Sequence, residues 1–287
     1  MPGIKDKIKK SAESNIILRF MLQSYRKLKP SYIRRLFRYI IPDIMRKRDK
    51  YCVICGHKVG RFAPYFSPFN TNVPTDIFSQ HRIIGSDFYE TTCPYCGSTA
   101  RSRWQYYILK SYSGILDKDN CTILHFAAEG INSNLILTNK TCKYITADIE
   151  PGRCDIICDM TNLNMFDDNT FDYIIANHVM EHIQDESKAI SELKRVLKHD
   201  GIIILSFPIC TDMLTYEDPS ITTEAGRWQA FGQGDHVRLY GTDFRERLEN
   251  YGLSVKVYSP ETELTPEEII KYGFIKDDVS IFCTLEQ

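Results

Sequence analysis

The sequence lacks long apolar runs, internal repeats and low-complexity tracts. No stretch reaches the roughly 18 consecutive apolar residues that a membrane-spanning helix requires. The opening residues, MPGIKDKIKK, also lack the apolar centre of a secretory signal. The chain has 287 residues, of which 43% are hydrophobic and 25% charged, as is usual for globular proteins. These features predict a cytoplasmic protein.

Glycine is scarce where a nucleotide-binding loop would be expected. The segment ILHFAAEG, Ile123 to Gly130, passes from an apolar stretch into a turn that carries a single glycine. A dinucleotide-dependent dehydrogenase needs the pattern GxGxxG to bring a helix N-terminus against pyrophosphate. The sequence contains no such pattern, which disfavours that class of enzyme.

Positive charge is concentrated at the amino terminus. Residues 1–50 carry 15 Lys or Arg and 4 Asp or Glu, although the whole chain has a net charge of −1. Pro42 is expected to end or kink a basic helix there. This helix either packs on its own domain or docks peripherally to an anionic membrane surface or a partner protein. Its apolar face has helical spacing: Ile33, Leu36, Phe37, Ile40 and Ile41.

From Cys121 onward, short apolar strands alternate with helices. This alternation predicts an α/β fold with a parallel sheet covered on both faces. TARSRWQYYILKSYSGIL precedes it as a helix, and Gly201 is placed to stop the later helix SKAISELKRVLKHDG. The strand candidates are TILHFAA, YITADI, CDIICD, FDYIIANHV, GIIILSFP, GLSVKVYS and VSIFCTLE.

Four of the ten cysteines form two CxxCG pairs, in YCVICGHK and TTCPYCGSTAR. Each pair lets two thiolates converge on one tetrahedral ion, and the following glycine permits a tight turn around sulfur. A complete four-cysteine set predicts a structural ion, zinc or iron, whereas a redox role would need only one pair. His57 and His81 are weaker substitutes for a cysteine, and the other six cysteines are expected to be reduced, small hydrophobic residues. The predicted ligands are Cys52, Cys55, Cys93 and Cys96.

Acidic and polar residues end successive strands: Asp148 after the second, Asp159 after the third, and Asn177–His178 after the fourth. With the helix and strand LKRVLKHDGIIIL, this succession resembles the class I S-adenosylmethionine-dependent methyltransferases over roughly residues 120–287. A zinc-ribbon-bearing subset, found in surface-glycan and capsule gene clusters, has a loop similar to LHFAPE. Here that loop is Leu124 to Glu129, with Ala128 in place of proline.

The resemblance implies a Rossmann-like, seven-stranded methyltransferase sheet over residues 104–287. It would follow a basic helical segment, 1–50, and a four-cysteine zinc-ribbon-like module, 51–103. The Asp148 carboxylate would accept hydrogen bonds from the ribose hydroxyls, and Glu129 would pair with the methionine ammonium. His125 stands where many relatives have an acidic residue, whose role it cannot fill. The implied cofactor-binding residues are Ala127, Ala128, Glu129, Gly130, Asp148, Ile149, Asp159, Met160 and Asn177.

The long segment between the fifth and sixth strands, which contains GQGDHVRLYG, is a candidate acceptor loop. His236 or His178 would act as the base, with Asp235 beside His236, and Arg238 would anchor an anion. The alternative is a turn whose charged residues are solvated or form salt bridges. For His182 the alternative is a purely structural role, in which its side chain caps or packs. The candidate substrate-binding residues are Arg238, Tyr240, Trp228 and Gln233.

The predicted function is O-methylation of a hydroxyl on a sugar, a sugar nucleotide or a phosphorylated small metabolite, in glycan or capsule biosynthesis. No [Asn/Asp]-Pro-Pro-aromatic motif follows the fourth strand, so methylation of a base nitrogen, and nucleic acid as a partner, are disfavoured. No second metal-ligand set is evident, which disfavours a magnesium-dependent catechol-type mechanism. An RNA methyltransferase with a zinc ribbon and a non-catalytic cofactor-binding scaffold stay as alternatives.

Overall fold

The structure is a computed structural model that describes residues 40–44, 46–64, 77, 80–84, 91–128, 136 and 141–286. Most of the predicted basic helix, with Glu129 and Gly130 of the predicted cofactor loop, therefore lies outside the described residues. Helix α1, Ile41–Ile44, has Pro42 in its first turn, and the expected end or kink of the preceding helix at Pro42 stays a prediction because residues 1–39 are not described.

Eleven strands and seven α-helices are described. The strands are β1 Lys50–Tyr51, β2 Lys58–Val59, β3 Thr122–Phe126, β4 Lys143–Asp148, β5 Ile156–Ile157, β6 Phe171–Asn177, β7 Leu197–Ser206, β8 Tyr216–Glu217, β9 Arg238–Leu239, β10 Leu253–Tyr258 and β11 Ser280–Leu285. The helices after α1 are α2 Ala100–Ile108, α3 Glu186–Val196, α4 Glu224–Phe231, α5 Phe244–Glu249, α6 Pro260–Glu263 and α7 Pro266–Tyr272. A π-helical segment, Leu109–Ser113, continues α2, and a 3₁₀ turn, Met180–His182, follows β6.

A seven-stranded sheet with the order β10-β11-β7-β6-β3-β4-β5 forms the centre of the molecule. β5, β4, β3, β6 and β7 pair in parallel, whereas β11 is antiparallel to both β7 and β10. The seven predicted strands are all present, but the expectation of a wholly parallel sheet is wrong, since the last strand of the chain enters between two others in reverse.

Helices cover both faces of the sheet, as its apolar strands require. On one face α3 buries Ala189, Ile190, Leu193 and Val196 against the strands. The predicted helix end at Gly201 is wrong, because α3 stops at Val196 and β7 already begins at Leu197, whose backbone is extended. The chain thus passes from helix to strand without a glycine turn.

On the other face, α2 joins the cysteine-rich segment to the sheet. The Thr99 side chain caps the helix by accepting a hydrogen bond from Ser102 N at 3.1 Å. Further along, Trp104 and Ile108 are buried in the core beneath β3 and β6. The predicted domain boundary between residues 103 and 104 therefore falls inside a continuous helix.

The segment between β7 and α5 is an ordered appendage. β8 and β9 form a two-stranded antiparallel ladder, with α4 between them in sequence. The appendage contacts the region between the two CxxC pairs, since Ile83 forms a bridge with Cys210 and packs with Phe231 and Leu239. Both regions therefore contribute to one small apolar cluster beside the sheet.

Two of the six cysteines expected to be reduced are instead bonded to each other. Cys121, just before β3, forms a disulfide with Cys142, just before β4. The bond links the amino-terminal ends of two adjacent parallel strands. Across the described part of the chain, no helix combines the length and apolar character needed to cross a membrane.

Candidate active site and metal centre

The backbone is unusual at the carboxyl ends of two neighbouring strands. Ala127, after β3, has φ of +47°, and His178, after β6, has φ of +55°. Residues other than glycine rarely adopt this left-handed region, and strain of this kind is typically found at functional sites. Because β3 and β6 pair in parallel, both turns lie at the same edge of the sheet. In this fold class, ligands bind outside that edge.

The predicted cofactor side of this edge carries Asp148 and Ile149. Asp148 ends β4 next to the β3 turn, where Ala127 N donates to Ala147 O at 2.9 Å. Its Oδ1 accepts a hydrogen bond from Glu150 N at 2.9 Å, which fixes the carboxylate at the strand end. Ile149 is an apolar residue that is 71% exposed. A fixed carboxylate beside an exposed apolar surface suits a nucleoside, with its hydroxyls on one side and its ring on the other.

Asp159 and Met160, both implied cofactor contacts, have different surroundings, and their cofactor role stays a prediction. Asp159 is exposed, and its Oδ1 accepts hydrogen bonds from Thr161 N and Thr161 Oγ1, at 2.8 and 2.9 Å. The Met160 side chain is buried in the core of the sheet domain. The carboxylate therefore shapes a turn, and the methionine side chain does not face an open surface. The contribution of Glu129 and Gly130 stays a prediction, because neither is described.

Asn177 belongs to a polar chain across the strand ends. Ser206 Oγ, at the end of β7, donates to Asn177 Oδ1 at 2.9 Å. Gln105 of α2 reaches Ser206 Oγ at 3.4 Å. His178 N donates to Ser206 O at 2.7 Å, so the β6 turn is fixed to β7. The helix that follows the cysteine-rich segment thus contributes a side chain near the predicted transfer site, which the sequence did not indicate.

His125 is buried within β3 and does not face this edge of the sheet. Its Nδ1 lies 2.8 Å from Tyr144 Oη on the adjacent strand. Burial lowers the pKa of His125 to about 4, so the ring is neutral near pH 7. It is a structural residue that fills the position of the acidic side chain found in relatives.

His178 is paired with a buried acid. Its Nδ1 lies 3.2 Å from Glu181 Oε1, and Glu181 is only 1% exposed. Burial acts to raise the pKa of Glu181, but the hydrogen bond and charge of His178 outweigh it and leave that pKa below its usual value. Glu181 escaped the sequence analysis, although its i, i+3 spacing from His178 in NHVMEHI was a usable sign.

The structure brings Glu181, His182 and His236 together. One ligand atom from each lies within 4.8 Å of the others, and the two imidazole rings meet edge to face at a centroid distance of 4.7 Å. His182 Nδ1 lies 3.3 Å from Asp235 Oδ2, and Gln233 Nε2 donates to Asp235 Oδ1 at 2.8 Å. Asp235, predicted to act beside His236, therefore contacts His182, and Gln233, a predicted substrate contact, holds Asp235. Burial lowers the pKa of His236.

Arg238 and Tyr240 are not placed to touch a substrate, which corrects their predicted role. Arg238 is 2% exposed. Its guanidinium donates to Met180 O and Ile183 O at 2.8 and 2.5 Å, to Gln184 O at 3.2 Å and to Glu217 at 3.0 Å. Tyr240 is fully buried and donates to Glu186. Arg238 thus holds the loop after β6 against β9, and Tyr240 holds the first residue of α3. Trp228 lies half-buried on α4.

The four predicted cysteine ligands converge. All four Sγ atoms lie within 4.8 Å of one another, with Cys52–Cys96 at 3.7 Å and Cys55–Cys93 at 3.8 Å. Zn–S bonds of about 2.3 Å in a tetrahedron require sulfur atoms about 3.8 Å apart. The spacing therefore fits a four-thiolate ion.

Both knuckles turn as expected at the glycine that follows each pair. Gly56 and Gly97 have φ of +72° and +83° and donate to Cys52 O and Cys93 O. Neither histidine substitutes for a cysteine. The His57 ring stacks on Tyr95, and His81 pairs with Asp212 at 3.1 Å.

Comparison with known proteins identifies the catalytic domain. The sequence profile of the family described as "Methyltransferase domain" matches residues 129–205, which include β4 to β6 and α3. No curated protein matches the sequence. The profile supports methyltransferase activity and S-adenosylmethionine as the methyl donor.

Several solved structures are similar to part of this chain. The YcgJ protein from Bacillus subtilis has 14% identity, with 63% of this chain and 100% of that chain covered and a TM-score of 0.41. A SAM-dependent methyltransferase from Archaeoglobus fulgidus has 16% identity, with 65% and 94% covered and a TM-score of 0.42. The PH0226 protein from Pyrococcus horikoshii has 16% identity, with 64% and 92% covered and a TM-score of 0.41.

Proposed function

We propose that the protein transfers the methyl group of S-adenosylmethionine to a hydroxyl of a sugar, a sugar nucleotide or a phosphorylated small metabolite. The pairing of His178 with buried Glu181 at the end of β6 carries this proposal. A hydroxyl must lose its proton during methyl transfer, and an imidazole oriented by a carboxylate suits this task. The role in glycan or capsule biosynthesis rests on the LHFAPE-like loop.

The binding and proton-transfer steps of the proposed reaction are each assigned to a residue of this chain. S-adenosylmethionine supplies a sulfonium-bound methyl group, whose carbon–sulfur bond breaks as the acceptor oxygen bonds to carbon and the electron pair stays on sulfur. Asp148 would hold the ribose hydroxyls and so orient the methyl group. The His178 ring nitrogen that does not face Glu181 would take the hydroxyl proton and later release it to solvent. Glu181 would fix the ring and stabilise its protonated form.

The four-cysteine set is proposed to hold zinc in a structural role. All four ligand positions would come from protein, so no position is left for substrate or water. The region before residue 51 is proposed, as in the sequence prediction, to dock to a membrane surface or a partner. Residues 1–39, on which that proposal mainly depends, lie outside the described part of the chain.

Calorimetric titration with S-adenosylhomocysteine tests the cofactor site. The wild type is expected to bind at micromolar concentration, and Asp148→Ala to bind about 10 to 100 times more weakly, because a charge-assisted hydrogen bond is lost. Asp167→Ala, which removes an exposed carboxylate, is the matched control and should bind as the wild type does. No binding by a folded wild type would contradict the proposal and favour a non-catalytic scaffold.

The acceptor class is tested with methyl-labelled S-adenosylmethionine and a panel of sugars, sugar nucleotides and phosphorylated metabolites. For any acceptor found, His178→Asn should lower turnover by about 100-fold or more, with S-adenosylhomocysteine binding retained. Label transferred to RNA instead, with salt-sensitive retention of the protein on RNA, would favour the RNA methyltransferase alternative.

A further inference from the structure

Glu181, His182 and His236 form a cluster that the proposed reaction uses only in part. Glu181 and His182 lie on the 3₁₀ turn after β6, and His236 comes from the appendage just before β9. Glu181 and His236 are 1% and 5% exposed, whereas the His182 side chain is 30% exposed. The cluster is therefore closed on the protein side and reachable past His182.

Two buried atoms of this cluster have unused lone pairs. Within the described residues, neither Glu181 Oε2 nor His236 Nδ1 has a hydrogen-bond partner. A neutral imidazole keeps a lone pair on one ring nitrogen, and among these residues no group uses the Nδ1 position of His236. Buried polar atoms without a partner are unfavourable, and a cation between these two would remove that cost.

His182 also has the outer contact that metal-binding histidines need. Its Nδ1 faces Asp235 Oδ2 at 3.3 Å, and Asp235 is itself held by Gln233. Ligating histidines almost always donate their second nitrogen to a carboxylate or a carbonyl, which sets the tautomer and the direction of the ring. For His182 the order of groups is thus outer acceptor, imidazole, and the shared central point.

The turn that carries two of the three ligands is held firmly. Arg238 donates to the carbonyl oxygens of Met180, Ile183 and Gln184, and Val237 N donates to Glu181 O at 2.9 Å. These bonds fix the turn to β9, next to His236. The three ligands therefore lie on two segments joined by several hydrogen bonds, a rigid arrangement suited to an ion of defined geometry.

We infer that Glu181, His182 and His236 bind a divalent transition-metal ion, with zinc and manganese as the leading candidates. Two imidazoles and one carboxylate suit such ions, whereas magnesium and calcium prefer oxygen ligands. Three protein ligands leave a coordination position open, as at catalytic rather than structural sites. Because Glu181 Oε1 holds His178, the ion would lie one carboxylate away from the proposed base.

This position gives the ion a role that rests on the proposed function. An acceptor hydroxyl bound at the open position would have a lowered pKa, and His178 could take its proton more easily. The acceptor would then be one that offers a hydroxyl with a second oxygen nearby, as a sugar diol does. Binding of the ion itself depends only on the three ligands and can be measured without cofactor or acceptor.

The test is a titration of protein whose four-cysteine site is already loaded, with zinc chloride and separately with manganese chloride. Calorimetry and elemental analysis should find one further ion per chain in the wild type. His182→Ala and Glu181→Gln should each weaken that binding at least tenfold. His199→Ala removes an exposed histidine outside the cluster and should match the wild type. His182 is partly exposed, so its variant is expected to fold.

Equal binding of both ions by the wild type and both variants, or no ion beyond the four-cysteine site, would overturn the inference. S-adenosylhomocysteine titration of the same samples separates this result from failure of the proposed function. A protein that binds S-adenosylhomocysteine but no second ion keeps the proposed function and loses the metal site. A protein that binds the ion but no S-adenosylhomocysteine keeps the metal site and loses the proposed function.

Discussion

His125 lies within β3 and His178 directly follows β6. Although the two strands are neighbours, the surroundings of the two imidazole rings differ. His125 points into the core and pairs with a neutral tyrosine hydroxyl, so burial keeps it uncharged. His178 follows its strand on a left-handed turn and pairs with a buried carboxylate at the predicted transfer edge. The sequence indicated His178 as a candidate base and His125 as a departure from the family pattern, but it did not indicate the partner of either ring.

The buried His125 should make stability fall with acidity in a defined pH window. Its folded pKa, about 4, lies below the ordinary value of 6.5, so the unfolded chain takes up a proton at a higher pH than the folded one. Stability is therefore complete above pH 6.5 and declines as the pH falls toward 4. Between pH 7.5 and 5.5 this group alone should cost about 1.4 kcal/mol of unfolding free energy.

Urea unfolding of the wild type and His125→Gln at both pH values measures this contribution. The variant should be less stable overall but should lose about 1.4 kcal/mol less between the two pH values. His199→Gln, at an exposed position, should show the wild-type pH dependence. An equal pH dependence in His125→Gln and the wild type would show that His125 is not held neutral.

At the scale of elements, the turn after β6 and strand β9 act as one unit. Arg238 of β9 donates hydrogen bonds to the carbonyl groups of Met180, Ile183 and Gln184. Its side chain is almost fully buried. Sequence reasoning assigned it to substrate because Arg, His and Tyr alternated in an apparent loop. A charged residue whose partners are backbone carbonyls more than 50 positions away cannot be distinguished from an exposed one by its neighbours in sequence.

Replacing Arg238 should therefore reduce stability before it affects the cofactor site. Arg238→Met removes a buried charged donor from three carbonyl groups and from Glu217 Oε2, and we expect a loss of about 3 kcal/mol or more. Arg238→Lys should recover part of it, since one ammonium cannot replace a planar guanidinium. Urea unfolding provides the measurement, and Arg245→Met, which removes an exposed i, i+4 pair, should cost less than about 1 kcal/mol.

Binding of S-adenosylhomocysteine by folded Arg238→Met is the second readout. Asp148 and Ala127 lie on other strands, so binding should be within about threefold of the wild type at a temperature where the variant is folded. A large loss of binding with little loss of stability would return Arg238 to the ligand site and refute its structural role.

Elements with strong local patterns were predictable, and those set by distant contacts were not. The seven strands of the sheet were all found, because each is a short apolar run between polar or turn-forming residues. The direction of β11 was missed, since it depends on which edge of the sheet is open when the chain returns. The end of α3 was missed because β7 extends back to Leu197, and pairing with Phe171 outweighs the local preference for helix.

The candidate site divides in the same way. Asp148, Asn177 and His178 follow strands whose ends were recognisable, so their common edge could be inferred. The convergence of the four cysteines was likewise predictable, because each pair is local and repeated. Glu181 and His236 come together only through contacts across more than 50 residues, and one of them was assigned another role. The spacing of these two residues in the sequence does not indicate that their side chains lie together in the fold.

At the scale of the whole molecule, Arg103 connects the four-cysteine module to the sheet. It lies on α2 and is completely buried. Its guanidinium donates to Thr91 O and Ser98 O beside the second knuckle, and to Tyr272 O and Gly273 O at the end of α7. Burial lowers the pKa of Arg103 to about 10, and the nearby thiolates act in the opposite direction. The module and the sheet should therefore unfold together.

Loss of the four-thiolate ion should for this reason destabilise the sheet as well as the knuckles. Cys55→Ser should lose the ion and lower the melting temperature by about 10 °C, as expected for a loss of several kcal/mol in a chain of this size.

Trp104 lies on α2 in the sheet core, and Trp228→Phe leaves it as the sole tryptophan, so its fluorescence reports on the sheet rather than on the knuckles. In that background Cys154→Ser, a half-buried cysteine outside the cluster, is the matched control and should keep both the ion and the melting temperature. If Cys55→Ser lost the ion but left the Trp104 transition unchanged, the module would be an independent unit, and the four hydrogen bonds of Arg103 would not couple it to the sheet.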